Sequence, residues 1–171
     1  MNRFYDIIGD CSTQLSPWEL KTRGLNKDKG IFLLHDDLRF RSDIAGGDIV
    51  VPAGFLSDLA SIPAAAWSVF MAPDNPHIAL GAWIHDLLYS TVGKIVGADG
   101  KAVTLTRQQC DSVLCYEAMP DLDATKLQQD VVYEALRLGG ESSFTTAPPD
   151  VRWKFSNIPI EHKISLGLDK L

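Results

Sequence analysis

The segment Trp83-Ile84-His85-Asp86-Leu87-Leu88-Tyr89 sets an imidazole, a carboxylate and a phenol among large apolar side chains. Charge in such surroundings is costly unless it is paired or hydrogen-bonded. On a helix His85 and Tyr89 share a face, whereas Asp86 projects about 100° away from His85. Asp86 and Tyr89, three residues apart, are also close enough to interact. Asp111 is a second anomalous acid, because its helical neighbours Leu114, Cys115 and Ala118 make its side of the helix apolar. If the two helices pack together, Asp111 accepts a hydrogen bond from one ring nitrogen of His85 and leaves the other as a general base. Asp86 is then placed to ligate a hard cation with help from backbone carbonyls. The same side chains also suit a structural task, tying helices together by buried hydrogen bonds. A hydrolytic role requires a nitrogen of His85 open to water. A scaffolding role expects the ring enclosed and an apolar patch exposed elsewhere.

Ser57-Asp58-Leu59-Ala60-Ser61-Ile62-Pro63 is the next marked segment. Asp58 or Ser61 can cap a helix beginning at Pro63. Alternatively, Asp58 and Ser61 face His85 and help to form a substrate or cation pocket at the junction of two layers. The remaining histidines offer less. His77 lies about 12 Å from His85 along a shared helix, too far for a common metal. His35 and His162 read as surface or structural residues. Gly46-Gly47 and Gly139-Gly140 mark a turn and a helix stop, since no GxxxxGK[ST] follows either pair. Arg107 and Arg137 are read as partners of helix-end carboxylates, with an anionic substrate as the other option for Arg107.

Strands are expected over Trp18–Arg23, Gly30–Arg41 and Asp48–Phe55, with turns at Leu25–Gly30 and Ile44–Asp48. Alternation places Leu38 and Phe40 on one face and Arg39 and Arg41 on the other. Helices are expected over Ala64–Met71, from Asn75-Pro76 to about Ser90, from a cap at Thr104 or Thr106 to about Met119, and from Asp121 or Asp123 to Gly139. The second of these has apolar residues on nearly every side and should be buried all round. In the last, Leu127, Val131, Ala135 and Leu138 repeat at helical spacing. A loop or small hairpin should span Val92–Thr104. These elements predict an α+β fold, with a small N-terminal antiparallel sheet followed by a bundle of about four helices. Residues 1–140 form the domain, and 141–171 form an extended C-terminal tail packing on it.

The chain has 171 residues, 46% of them hydrophobic, enough for one domain with a sizeable core. Sixteen Lys and Arg against 22 Asp and Glu give a net charge of -6, which argues against nucleic acid as a partner. No run of 18 apolar residues suggests a membrane span, and residues 1–10 lack the apolar core of a signal peptide. Cys11, Cys110 and Cys115 contain no CxxC pair, so neither a zinc ribbon nor a redox dithiol is expected and the thiols read as reduced.

Four ordered blocks carry a resemblance. Val51-Pro52-Ala53-Gly54-Phe55-Leu56-Ser57-Asp58-Leu59-Ala60-Ser61-Ile62-Pro63, Ile84-His85-Asp86-Leu87-Leu88-Tyr89, Arg107 to Met119 and Val132-Tyr133-Glu134-Ala135-Leu136-Arg137-Leu138-Gly139 resemble the signatures of a phage-encoded family, domain of unknown function 1353. The resemblance implies a bacteriophage or prophage origin, acting in the host cytoplasm or the virion, and no assigned activity. The H-D-x-x-Y pattern followed by an Asp on the next helix is also similar to phospholipases A2, including the viral capsid type. That likeness implies a phospholipid or similar ester substrate, His85 activating water, Asp111 orienting it, Tyr89 bracing Asp111 and Asp86 binding calcium. The glycine-rich calcium loop of those enzymes is absent, with the Asp58 segment its only substitute. A virion or assembly component that binds phage structural proteins is the competing expectation. An HD-type metal-dependent phosphohydrolase is a third, and it would need a further His, from His35 or His162.

Overall fold

A computed structural model describes residues 3–5, 11–23, 25, 30–59, 78–97, 100–145, 152–165 and 167–168. The helix expected over 64–71, the start of the next one, and Ser61 lie outside the described residues.

In chain order the first elements are β1 (Phe4–Tyr5), β2 (Ser12–Gln14), α1 (Pro17–Thr22), β3 (Phe32–Leu34), β4 (Leu38–Ser42), β5 (Gly47–Val51) and β6 (Leu56–Ser57). They form two three-stranded antiparallel sheets, ordered β1-β4-β5 and β2-β3-β6. Alternation in β4 sends Leu38 and Phe40 into the core and leaves Arg41 outside. Phe40 pairs with Ile49 across the ladder and stacks on Phe4, with ring centroids 4.8 Å apart. The stretch expected as a strand over Trp18–Arg23 is helical through Thr22, with Arg23 as its C-cap, not extended. Ser16 caps it, Pro17 opens it, and Glu19 returns the cap by bonding the Ser16 backbone.

The helical half begins with α2 (Ala79–Ser90), buried on every side from Gly81 onward. A short antiparallel hairpin follows, β7 (Lys94–Val96) with β8 (Ala102–Thr104). Thr106 and Gln109 then form a capping box at the head of α3 (Arg107–Ser112). The run continues through a wide π-helical turn (Val113–Ala118) into α4 (Met119–Asp121), ending at Asp121 just past Met119. Pro120, having no N–H to donate, removes one α-helical hydrogen bond just after the wide turn. Thr125, not Asp121 or Asp123, caps α5 (Lys126–Gly139). Its buried residues are Gln129, Val132 and Leu136, whereas Leu127 and Leu138 are exposed. The C-terminal part is helical in pieces instead of extended: α6 (Glu141–Thr145), a 3-10 turn (Arg152–Phe155) and α7 (Ile160–Ser165). The architecture is α+β.

Two contacts lock these layers. Phe155 is fully buried, its ring centroid 5.1 Å from that of Phe55, which in turn meets Trp83 of α2 edge-on. Buried Glu117, on the wide turn, accepts from Ser42 Oγ at 2.5 Å, from the Asp43 and Ile44 backbone N–H groups, and from Arg3. Its carboxylate thereby clamps the β4–β5 turn to the helical run. At Gly81, α2 packs tightly on that run: a Cβ there would sit 2.7 Å from Leu114 Cδ1.

Candidate active site

Two adjacent residues of α2 enter two different polar clusters. His85 Nε2 lies 3.1 Å from Asp111 Oδ1 on α3, and both side chains are fully buried. The Tyr89 hydroxyl donates to the same oxygen at 2.5 Å. Arg137, from the last turn of α5, donates to Asp111 Oδ2 at 2.8 Å. The His85 and Tyr89 rings stack four residues apart with centroids 4.1 Å from one another, as their shared face requires. Three helices thus converge on one carboxylate.

Electrostatics fixes how the dyad is arranged. Burial pushes the Asp111 carboxyl up, but the hydrogen bonds from His85, Tyr89 and Arg137 outweigh it and hold the group below its ordinary value. Burial, together with the neighbouring Asp111, pushes the Tyr89 phenol far up, so it stays a donor. An ionised Asp111 only accepts, so the proton between it and the ring belongs to Nε2. The lone pair of the neutral ring is then on Nδ1. That atom is buried, not open to water as the hydrolytic expectation requires, and it has no hydrogen-bond partner among the described residues.

Asp86 faces the other way. Its Oδ2 accepts from the Ser57 hydroxyl and from Lys154 Nζ at 3.0 Å. Ser57 Oγ also accepts from the Leu59 N–H at 2.9 Å, fixing a non-glycine residue at φ 49° where the chain leaves the sheet. From the marked segment, therefore, Ser57 is the side chain seen to reach Asp86. Asp58 is half-buried and has a polar interaction of its own. Calcium takes six to eight oxygen ligands; among the described residues the Asp86 carboxylate meets a hydroxyl and an ammonium. No cluster of three or more His, Cys, Asp or Glu side chains suited to a metal occurs among the described residues. Among the described residues, the cation that meets Asp86 is Lys154.

The remaining candidates sit elsewhere. His35 is exposed and bonded to Thr13, and His162 lies 3.8 Å from Asp37. Cys11, Cys110 and Cys115 are outside any disulfide, and burial pushes Cys110 up to about 12. Three participants escaped sequence reasoning: Ser57, Lys154 and the true partner of Arg137. Lys154 alone carried a local signal, a cation set between two aromatic residues, Trp153 and Phe155.

Fold and site together define an α+β protein with a buried His–carboxylate dyad at the meeting of three helices. The chain belongs to the family described as Protein of unknown function (DUF1353), whose model matches residues 32–136, well over half its length. That span contains His85, Asp86, Tyr89 and Asp111, and ends at the residue before Arg137. No curated protein and no solved structure matches the chain. No described helix is long and apolar enough to cross a membrane.

Proposed function

We propose that this is a bacteriophage or prophage protein, working in the host cytoplasm or the virion, whose His85–Asp111 dyad hydrolyses esters, phospholipid esters being the class its pattern resembles. The carrying observation is the unequal treatment of the two ring nitrogens. Nε2 is held by an ionised carboxylate that two further side chains brace, while Nδ1 is left without a partner. A histidine kept only to knit helices would be expected to use both, since an unmet buried polar atom costs about 1–3 kcal/mol. In the reaction, Nδ1 takes a proton from water as its oxygen attacks the ester carbonyl. The tetrahedral intermediate collapses, and the imidazolium returns that proton to the leaving alkoxide. Asp111 stabilises the transient imidazolium and keeps the ring in the useful tautomer.

One observation favours the second reading, a virion or assembly component that binds other phage structural proteins. His85 has no exposed surface, so catalysis requires water to gain access to Nδ1. Ile160 and Ile164, one turn apart on α7, are exposed apolar residues of the kind a partner would cover.

His85→Gln separates the two. The Gln amide can still donate to Asp111 from a position close to that of Nε2, yet it offers no base in place of Nδ1. Wild type is expected to hydrolyse mixed phosphatidylcholine and phosphatidylglycerol vesicles, and the variant to lose about 100-fold or more with little change in melting temperature. A wild type that releases no fatty acid, with a variant that melts well below it, would leave the assembly role.

A further inference from the structure

Asp111 presents its two oxygens unequally. Oδ1 takes both His85 Nε2 and the Tyr89 hydroxyl, and Oδ2 takes Arg137. With Oδ1 alone engaged, the carboxylate could turn about its Cβ–Cγ bond and trade oxygens; a donor on Oδ2 stops that rotation. Asp111 is fully buried, while the Arg137 side chain is 30% exposed, so the guanidinium stands between the buried charge and solvent. Arg137 is permanently charged. It balances Asp111 whatever the state of the ring, and the imidazole need not serve as the counter-ion.

The end of α5 is built to deliver this side chain. Arg107 of α3 donates to the Leu136 carbonyl at 3.2 Å and, through both terminal nitrogens, to the Arg137 carbonyl at 3.4 Å. At Gly140 a Cβ would lie 2.7 Å from the Tyr89 hydroxyl oxygen. The absence of a side chain there lets the helix end dock against the very phenol that bonds Asp111. Phe144 of α6 closes the same corner, its ring edge-on to Tyr89 at 5.3 Å.

We propose that Arg137 is the positioning residue of the dyad: its guanidinium fixes the Asp111 carboxylate and balances its charge, so that His85 is presented as a base instead of being held as one half of an ion pair. This rests on the hydrolytic reading of His85. Arg137 itself touches no substrate.

The test compares wild type with Arg137→Gln and Arg137→Lys, using three readouts. The groups that act on the Asp111 carboxylate are His85 and Tyr89 from α2 and Arg137 from α5, with the Cys110 and Cys115 thiols beside it on its own helical run and the Arg107 guanidinium acting on Tyr89. Loss of the guanidinium removes one of the interactions that hold the carboxyl down. Its titration, followed by carbon NMR, is therefore expected to move up in Arg137→Gln and to return part of the way in Arg137→Lys. The His85 Nε2–H resonance should exchange faster with water in the Gln variant. Hydrolysis of the same mixed vesicles should fall about 10- to 100-fold in kcat at unchanged KM, with partial recovery in the Lys variant. An unmoved carboxyl titration and an unmoved Nε2–H in Arg137→Gln overturn the inference, whatever the activity. Should Arg137→Gln fail to fold, the same two signals in Arg137→Lys decide, and identity with wild type overturns it. Moved signals in a protein whose wild type hydrolyses nothing leave the coupling standing and overturn the hydrolytic reading instead.

Discussion

His85 and Asp86 are neighbours on one helix, equally enclosed, and they meet opposite conditions. The Asp86 cluster is closed. A carboxylate oxygen meets an ammonium and a hydroxyl, and that hydroxyl holds a strained backbone N–H in turn. The His85 cluster is satisfied on the carboxylate side and unpartnered at the buried Nδ1. Burial by itself does not tell a structural polar group from a chemical one, because both residues are buried. What separates these two is completeness of partnering. Asp86 draws β6 and the C-terminal 3-10 turn onto α2; His85 retains a lone pair that nothing in the described fold uses.

The comparison can be broken most forcefully from the Asp86 side. Lys154→Met strands a buried carboxylate and should cost about 3–5 kcal/mol in urea unfolding. Adding Asp86→Asn to it should recover much of that loss, because the pair and not each charge holds the C-terminal turn. A loss below about 1 kcal/mol would show that Asp86 is not closed by Lys154 at all. His85→Gln, on the unpartnered side, should change stability far less and activity far more. The smallest effect expected is none. Millimolar calcium should leave the melting temperature where it is, since a ligand raises stability only if the folded state binds it. A calcium-dependent rise that Asp86→Asn abolishes would show the ion displacing Lys154, and would give Asp86 the metal role.

Much of this was legible because it is local. Apolar residues all round α2 made its burial plain, and the apolar neighbours of Asp111 at three, four and seven positions showed that its carboxylate points inward. Alternation in β4 assigned Leu38 and Phe40 to the core. What escaped divides into two kinds. Some signals were local but competing. In α1 the Ser16–Glu19 capping box outweighs the extended character of Trp18 to Arg23, and in α5 the Leu127–Leu138 repeat looked like a core stripe although Val132 and Leu136 fill that role. Others were never local. Ser57 and Asp86 are 29 residues apart, Asp86 and Lys154 are 68 apart, and Asp111 and Arg137 are 26 apart. Hydropathy periods carry no information about which cation reaches which acid. The C-terminal segment shows the same limit: Trp153 and Phe155 announced packing, but the ion pair between them and α2 appears only in three dimensions.

The most direct measurement is the nitrogen NMR spectrum of His85 in uniformly labelled protein at mildly alkaline pH, where the two ring nitrogens report their protons separately. The expected result is a protonated Nε2 whose hydrogen is bonded to Asp111, with an unprotonated Nδ1. The opposite tautomer, with the proton on Nδ1, would contradict the whole scheme, because it would aim a lone pair at an ionised carboxylate and leave no base free for water.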